Sequence, residues 1–305
     1  MLKLNIKDET SRLRSVILGT SEDNGPTPYF EHAYDPKSIE HIQAKTYPVE
    51  SEMIIEMDEF NKVLQKYDVT VYRPEVIIDE NQIFARDIAF VIGDTFIEAN
   101  VLPQRDREFP AIRHVVGLLD PAKTVSIPDK EIHIEGGDVM LWNDHIFIGT
   151  YKGTDYSKIN TARTNMRGVD FIKNLFPNKI VKEFDLVKSA TQARNNALHL
   201  DCCFQPVGKD KAIIYKGGFR DESEYAFLVG LFDKENLFHV TQDEMYHMYC
   251  NIFSISEEIV VSEKNFIRLN TWLRKQGLTV EEIPYSEISK QGGLLRCSTL
   301  PLIRD

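Results

Sequence analysis

Four short segments of the chain set reactive side chains beside strand-like apolar ones: FARD (84–87), HIEGGD (133–138), LHLDCC (198–203) and GGLLRCSTLPL (292–302). Cys297 follows two glycines and an arginine, and Arg296 is placed to lower the thiol pKa and favour the nucleophilic thiolate. A buried packing cysteine is the plainer reading. His199 and Asp201 stand two apart, so on a strand they share one face while Leu198, Leu200 and Cys202 take the other. In HIEGGD the paired glycines allow a sharp turn with close backbone approach. Glu135 and Asp138 then stand at its ends, where a rigid carboxylate can orient a histidine as the third member of a nucleophile–base–orienter set. Asp87 sits at the mouth of the apolar run IAFVI. A buried carboxylate needs a cation, either the adjacent Arg86 or a cationic substrate.

These residues admit two chemistries. His133, His199, Asp201, Cys202 and Cys203 are all zinc-ligand types, but their spacing matches no standard zinc pattern. Adjacent Cys202 and Cys203 also point to opposite faces of a strand, so no metal is expected. The second chemistry is a thiol nucleophile with a histidine and several carboxylates. Spare carboxylates suit a planar cation rich in N–H donors, and bidentate pairing with carboxylate is how a guanidinium is held.

Composition narrows the partners. The chain has 305 residues, 42% hydrophobic and 27% charged, with a formal net charge of -11. Such an acidic surface disfavours nucleic acid and anionic membranes but attracts a small cation. Charges interrupt the N-terminal stretch MLKLNIKDETSRLRSVILG, and no run approaches the roughly 20 apolar residues that span a bilayer. A cytoplasmic protein is expected. Its four cysteines lack C-x-x-C spacing and should be free thiols. Neither G-x-G-x-x-G nor a P-loop occurs.

The elements that position these segments repeat. Strands are expected at 13–18 and 69–73 around a helix over 50–67, and strand pairs near 88–98, 137–148, 198–215 and 248–261. Helices are expected at 161–176, 222–232 and 263–276, with returning strands at 179–184 and 278–283. No linker divides the chain, so residues 1–305 read as one domain. A strand–strand–helix–strand unit recurring every 50–60 residues points to units arranged around an axis.

The order R-D, E-G-G-D, H-x-D and a late G-G-x-x-R-C resembles the guanidine-modifying enzymes: arginine deiminases, dimethylarginine dimethylaminohydrolases and arginine amidinotransferases. ARTN (162–165) is similar to that family's R-T-N segment, and the stretch from YPVESEM to ARDIAFVIGDTFIEA is most similar to its amidinotransferase branch. The resemblance implies an α/β fold, a five-bladed propeller of ββαβ units with pseudo-fivefold symmetry. It implies that Cys297 attacks the guanidinium carbon to form an amidino-thioether, and that His199 serves as acid and base with Glu135 orienting it. Asp87 and Asp201 would grip the guanidinium, and Arg163 the substrate's α-carboxylate. Arg107, with Arg105 in the same QRDRE run, is a further substrate-binding candidate. The implied partner is a small guanidino compound such as arginine; no cofactor is needed, and a homo-oligomer is allowed. EGGD favours a hydrolase, with an amidinotransferase and a non-catalytic guanidine binder as the alternatives.

Overall fold

Short hairpin loops, of two residues after the strand ends at Ile92 and Trp142 and of three after Val207, organise the chain. Gly93, Asn143 and Gly208 take positive φ of 62°, 52° and 61°, the left-handed conformation that lets a tight turn follow the strand twist. A computed structural model describes residues 1–305, the side chain of His32 excepted. It contains fifteen strands: β1 (Leu13–Leu18), β2 (Thr70–Tyr72), β3 (Ala89–Ile92), β4 (Thr95–Glu98), β5 (Thr124–Ser126), β6 (Val139–Trp142), β7 (His145–Thr150) and β8 (Ile180–Asp185), then β9 (Phe204–Val207), β10 (Lys211–Ile214), β11 (Leu237–His239), β12 (Phe253–Ser254), β13 (Ile259–Glu263), β14 (Thr279–Ile283) and β15 (Thr299–Arg304).

They form five three-stranded sheets of one plan. In four of them a hairpin supplies the antiparallel pair, and the third strand returns parallel to the middle one: β3-β4-β5, β6-β7-β8, β9-β10-β11 and β12-β13-β14. The remaining sheet, β15-β1-β2, has the same plan but takes its antiparallel partner from the far end of the chain. A parallel return needs a crossover, normally a helix. Glu50–Lys66 serves between β1 and β2, burying Met53, Met57, Phe60, Val63 and Leu64 along one face. Met166–Leu175, Glu222–Val229 and Ile267–Lys275 serve likewise in later units. The expected helix over 161–176 starts only at Met166, because the Asn165 side chain accepts a hydrogen bond from Gly168 N at 3.0 Å and caps it. The ARTN segment therefore stays outside the helix, and Arg163 turns inward.

The first strand of each sheet is entered through a tight turn or bend. Ala85–Ile88 precedes β3, Gly136–Asp138 precedes β6 and Leu200–Cys202 precedes β9, each a single helical turn. Within three residues of the first strand lie Asp87, Asp138, Asp201, Asn251 and Cys297, one polar residue from each sheet. All five side chains are buried. This corrects the strand expected through LHLD. His199 is extended but Leu200–Cys202 is a 3-10 turn, so His199 and Asp201 are not paired on one face by strand alternation. No helix is long and apolar enough to cross a membrane.

Candidate active site

A cavity of about 380 Å³ opens at this cluster of turns; Cys297, His199, Asp87, Arg105 and Arg163 line it. Gly137 brings its turn against the histidine: a Cβ added there would lie 2.6 Å from His199 Nδ1. The close approach anticipated for HIEGGD is thus to the imidazole itself.

His199 is fully buried between two carboxylates. Its Nε2 lies 2.8 Å from Glu135 Oε2, and its Nδ1 lies 3.7 Å from Asp87 Oδ1. Neither that Nδ1 nor that Oδ1 has a hydrogen-bond partner. Burial opposes a charge on the ring, but Asp87, Asp138 and the hydrogen bond to Glu135 outweigh it and hold the imidazole pKa up to about 9. For Glu135 burial acts upward, yet Arg163 and His199 hold the carboxyl down to about 2. At neutral pH the pair is therefore imidazolium and carboxylate. The Cys297 thiol is pushed well above its ordinary value by burial and by the charges of Asp201 and Asp87, so in the empty site it is protonated.

The cations are committed. Arg105 donates to Asp87 Oδ2 at 2.8 Å and forks onto Glu108 at 2.6 and 2.8 Å. Arg163 Nη1 lies 3.3 Å from both Glu135 oxygens while its Nε donates to Asn160 O. Arg296, fully buried, spans Asp201 at 2.9 Å and Glu9 at 3.1 and 3.2 Å. Arg296 thus neutralises carboxylates rather than the thiol, which corrects its expected effect on Cys297. The partner of Asp87 is Arg105, not Arg86, whose guanidinium turns away to Arg296 O and Thr299. Arg107 is not brought to the site: its side chain is 60% exposed and pairs with Glu80 at 3.0 Å. Asp201 is brought near, 3.7 Å from Cys297 Sγ, but lies behind the sulfur, outside the cavity lining.

Among the described residues, Asp87, Glu135 and His199 offer ligand atoms within 4.8 Å of one another. At Glu135 a metal would compete with Arg163 and His199, which already face its two oxygens. Glu9 and Asn251 carried no sequence signal. Glu9 lies 287 residues from the Arg296 it binds, and Asn251 sits in an otherwise apolar run.

The chain stands in the guanidine-modifying superfamily, among enzymes, hydrolases or transferases, that act on amidines, as its family match and its relatives show. More narrowly, residues 29–304 match the family described as N,N dimethylarginine dimethylhydrolase, eukaryotic, and the chain belongs to it. It is 30% identical over 224 residues to the uncharacterized protein YkgA of Bacillus subtilis, covering 73% of this chain and 70% of that one. It is 25% identical to an arginine deiminase of Oenococcus oeni, covering 82% of this chain and 67% of the deiminase. Its structure is similar to inosamine-phosphate amidinotransferase StrB1 from Streptomyces griseus, with a TM-score of 0.78 and 16% identity over 100% and 97% of the two chains. It is also similar to the N-terminal domain of ArgZ, a cyanobacterial arginine dihydrolase, in a form covalently bound to a reaction intermediate. There the TM-score is 0.76 at 16% identity, over 95% and 98% of the chains.

Proposed function

We propose that the protein hydrolyses the guanidinium group of arginine or an arginine derivative through a covalent amidino-cysteine intermediate. The observation that carries this is a buried thiol and a buried imidazole opening on one cavity, with the unpartnered Oδ1 of Asp87 lying 3.7 Å from the imidazole Nδ1. The guanidinium seats on Asp87. Its positive charge offsets the two carboxylates that keep Cys297 protonated, so the thiol loses its proton to solvent as the cation arrives. Sγ attacks the guanidinium carbon, and His199 delivers its proton to the departing nitrogen as the C–N bond breaks. The neutral imidazole then takes a proton from the attacking water, and the C–S bond breaks to return Cys297. Glu135 fixes the ring through its Nε2 contact. Asp201 acts electrostatically from behind the sulfur, and Arg163, in the same cavity, receives the substrate's carboxylate. In the same reading the five sheets stand around one axis as propeller blades, which the pairing of β15 with β1 supports.

An amidinotransferase shares the first half-reaction, and the likeness to StrB1 favours keeping it as the second reading. The test is incubation with arginine or N-methylated arginine, with and without glycine as acceptor. Citrulline with ammonia or methylamine, in the absence of acceptor, is the expected result, and Cys297→Ala should abolish it. Ornithine formed only when glycine is present would overturn hydrolysis. Binding without turnover would make the protein a guanidine binder.

A further inference from the structure

Four of the five sheets supply Asp87, Glu135, His199, Asp201 and Cys297. The fifth, β12-β13-β14, has no role in that scheme, yet the residue at its entrance donates a hydrogen bond to the sulfur. Asn251 is fully buried. Its Oδ1 accepts the backbone N–H of Cys297 at 3.0 Å, and its Nδ2 lies 3.2 Å from Cys297 Sγ and 3.4 Å from Asp201 O. The backbone is held too, since Arg296 N donates to Asn251 O at 3.2 Å. An amide can be turned end for end, but here the backbone donor decides. Only the carbonyl end can face an N–H, so the NH₂ end must face the sulfur.

We infer that Asn251 is a catalytic hydrogen-bond donor that stabilises the Cys297 thiolate once the thiol proton has left, resting on the reading of Cys297 as the nucleophile. The equivalent entrance residues of three other sheets are aspartates: Asp87, Asp138 and Asp201. A carboxylate at position 251 would present an acceptor and a negative charge to a sulfur that must itself become negative. Asp201 Oδ2, 3.7 Å away, already offers an acceptor for the resting S–H. The amide supplies what the neighbouring acids cannot, an N–H that gains strength as the proton leaves. Its second contact, on the Cys297 N–H, fixes where along the turn the sulfur stands. The substrate's charge and this neutral donor thus share the stabilisation of one anion.

The test needs no substrate. Cys297 of the full-length protein is alkylated with iodoacetamide, the sulfur displacing iodide and the thiol proton passing to buffer. The second-order rate constant is followed by mass spectrometry of the Cys297 peptide across pH values below the thiol midpoint. Removing a hydrogen bond to a charged group raises the thiol pKa by about one to two units. Because a more basic thiolate is intrinsically more reactive, the net rate in Asn251→Leu should fall by about 3- to 13-fold at fixed pH. Asn251→Asp, which keeps the shape and the acceptor on the Cys297 N–H, should fall further. Where the leucine variant does not fold, Asn251→Ala, which likewise has no side-chain donor, reads the same rate constant. Unchanged alkylation in Asn251→Asp and in either neutral variant would overturn the inference, whereas a variant that was merely misfolded would alkylate faster. Persistence of turnover in Cys297→Ala would remove the nucleophile reading instead, and the alkylation ratios would still report the hydrogen bond.

Discussion

Glu135→Gln is the sharpest probe of the acid–base assignment. The amide keeps the size of the carboxyl but removes the charge 2.8 Å from His199 Nε2. His199 is held at about 9 against a reference of 6.5, despite burial, by Asp87 and Asp138 first and then by the hydrogen bond and charge of Glu135. A hydrogen bond to a charged group contributes about 1.5–3 kcal/mol, or about one to two pH units. The alkaline limb of kcat should therefore move from about 9 down by that amount. At pH 9 the protonated fraction falls from one half to about 9% or 1%, a loss of about 5- to 50-fold. Any loss from misorientation is pH-independent and adds to this. The assay is ammonia or amine release from the turned-over guanidine, measured in wild type and variant between pH 6 and 11. A rate that falls equally at all pH values, with the limb unmoved, would refute Glu135 as the group that keeps His199 charged. The stability consequence carries a definite sign. A raised imidazole pKa gives stability that is full below about 6.5 and lost as pH rises through about 9. The histidine share of the variant's destabilisation in urea should therefore vanish above that pH, leaving the share due to Arg163 losing its carboxylate.

Gly137→Ala would place a Cβ 2.6 Å from His199 Nδ1 and 3.0 Å from Asp87 Oδ1; displacing the ring should lower kcat by on the order of 100-fold with the fold retained, as steady-state kinetics and a thermal melt will show. Arg105→Ala should cost about 3–5 kcal/mol in urea unfolding by stranding buried Asp87 and Glu108, and should also raise KM. Arg107→Ala, at an exposed pair, should change stability by less than about 0.5 kcal/mol and leave KM unchanged.

The repeat was legible in the sequence because hairpin loops and crossover helices are local, each set by neighbouring residues such as Gly93-Asp94 or the apolar face of 50–67. The glycines of HIEGGD were legible for the same reason: a residue without Cβ marks close approach wherever it occurs. LHLD misled because i, i+2 alternation presumes a strand, and His199 and Asp201 are set instead by the turn that enters β9. Arg107 and Arg105 could not be told apart by type, since only the three-dimensional position of Glu108 and Asp87 selects Arg105. Partners remote in sequence left no trace: Glu9 for Arg296, and Asn251 for Cys297. An asparagine flanked by Cys250 and Ile252 reads as a buried polar residue in any fold, and only the arrival of a sulfur from a different sheet gives it chemistry.

The pairing of β15 with β1 bears on how the enzyme comes into being. Asp87, Glu135 and His199 all emerge from the ribosome well before Cys297, and the strand that follows the cysteine docks against β1, which precedes all of them in the chain. Joining segments so distant in sequence is a slow, entropically costly closure. The cradle of Asp87, Glu135 and His199 can thus be assembled before the sulfur of Cys297 is seated. If that seam opens first in denaturant, activity should be lost before the far-UV circular dichroism signal falls.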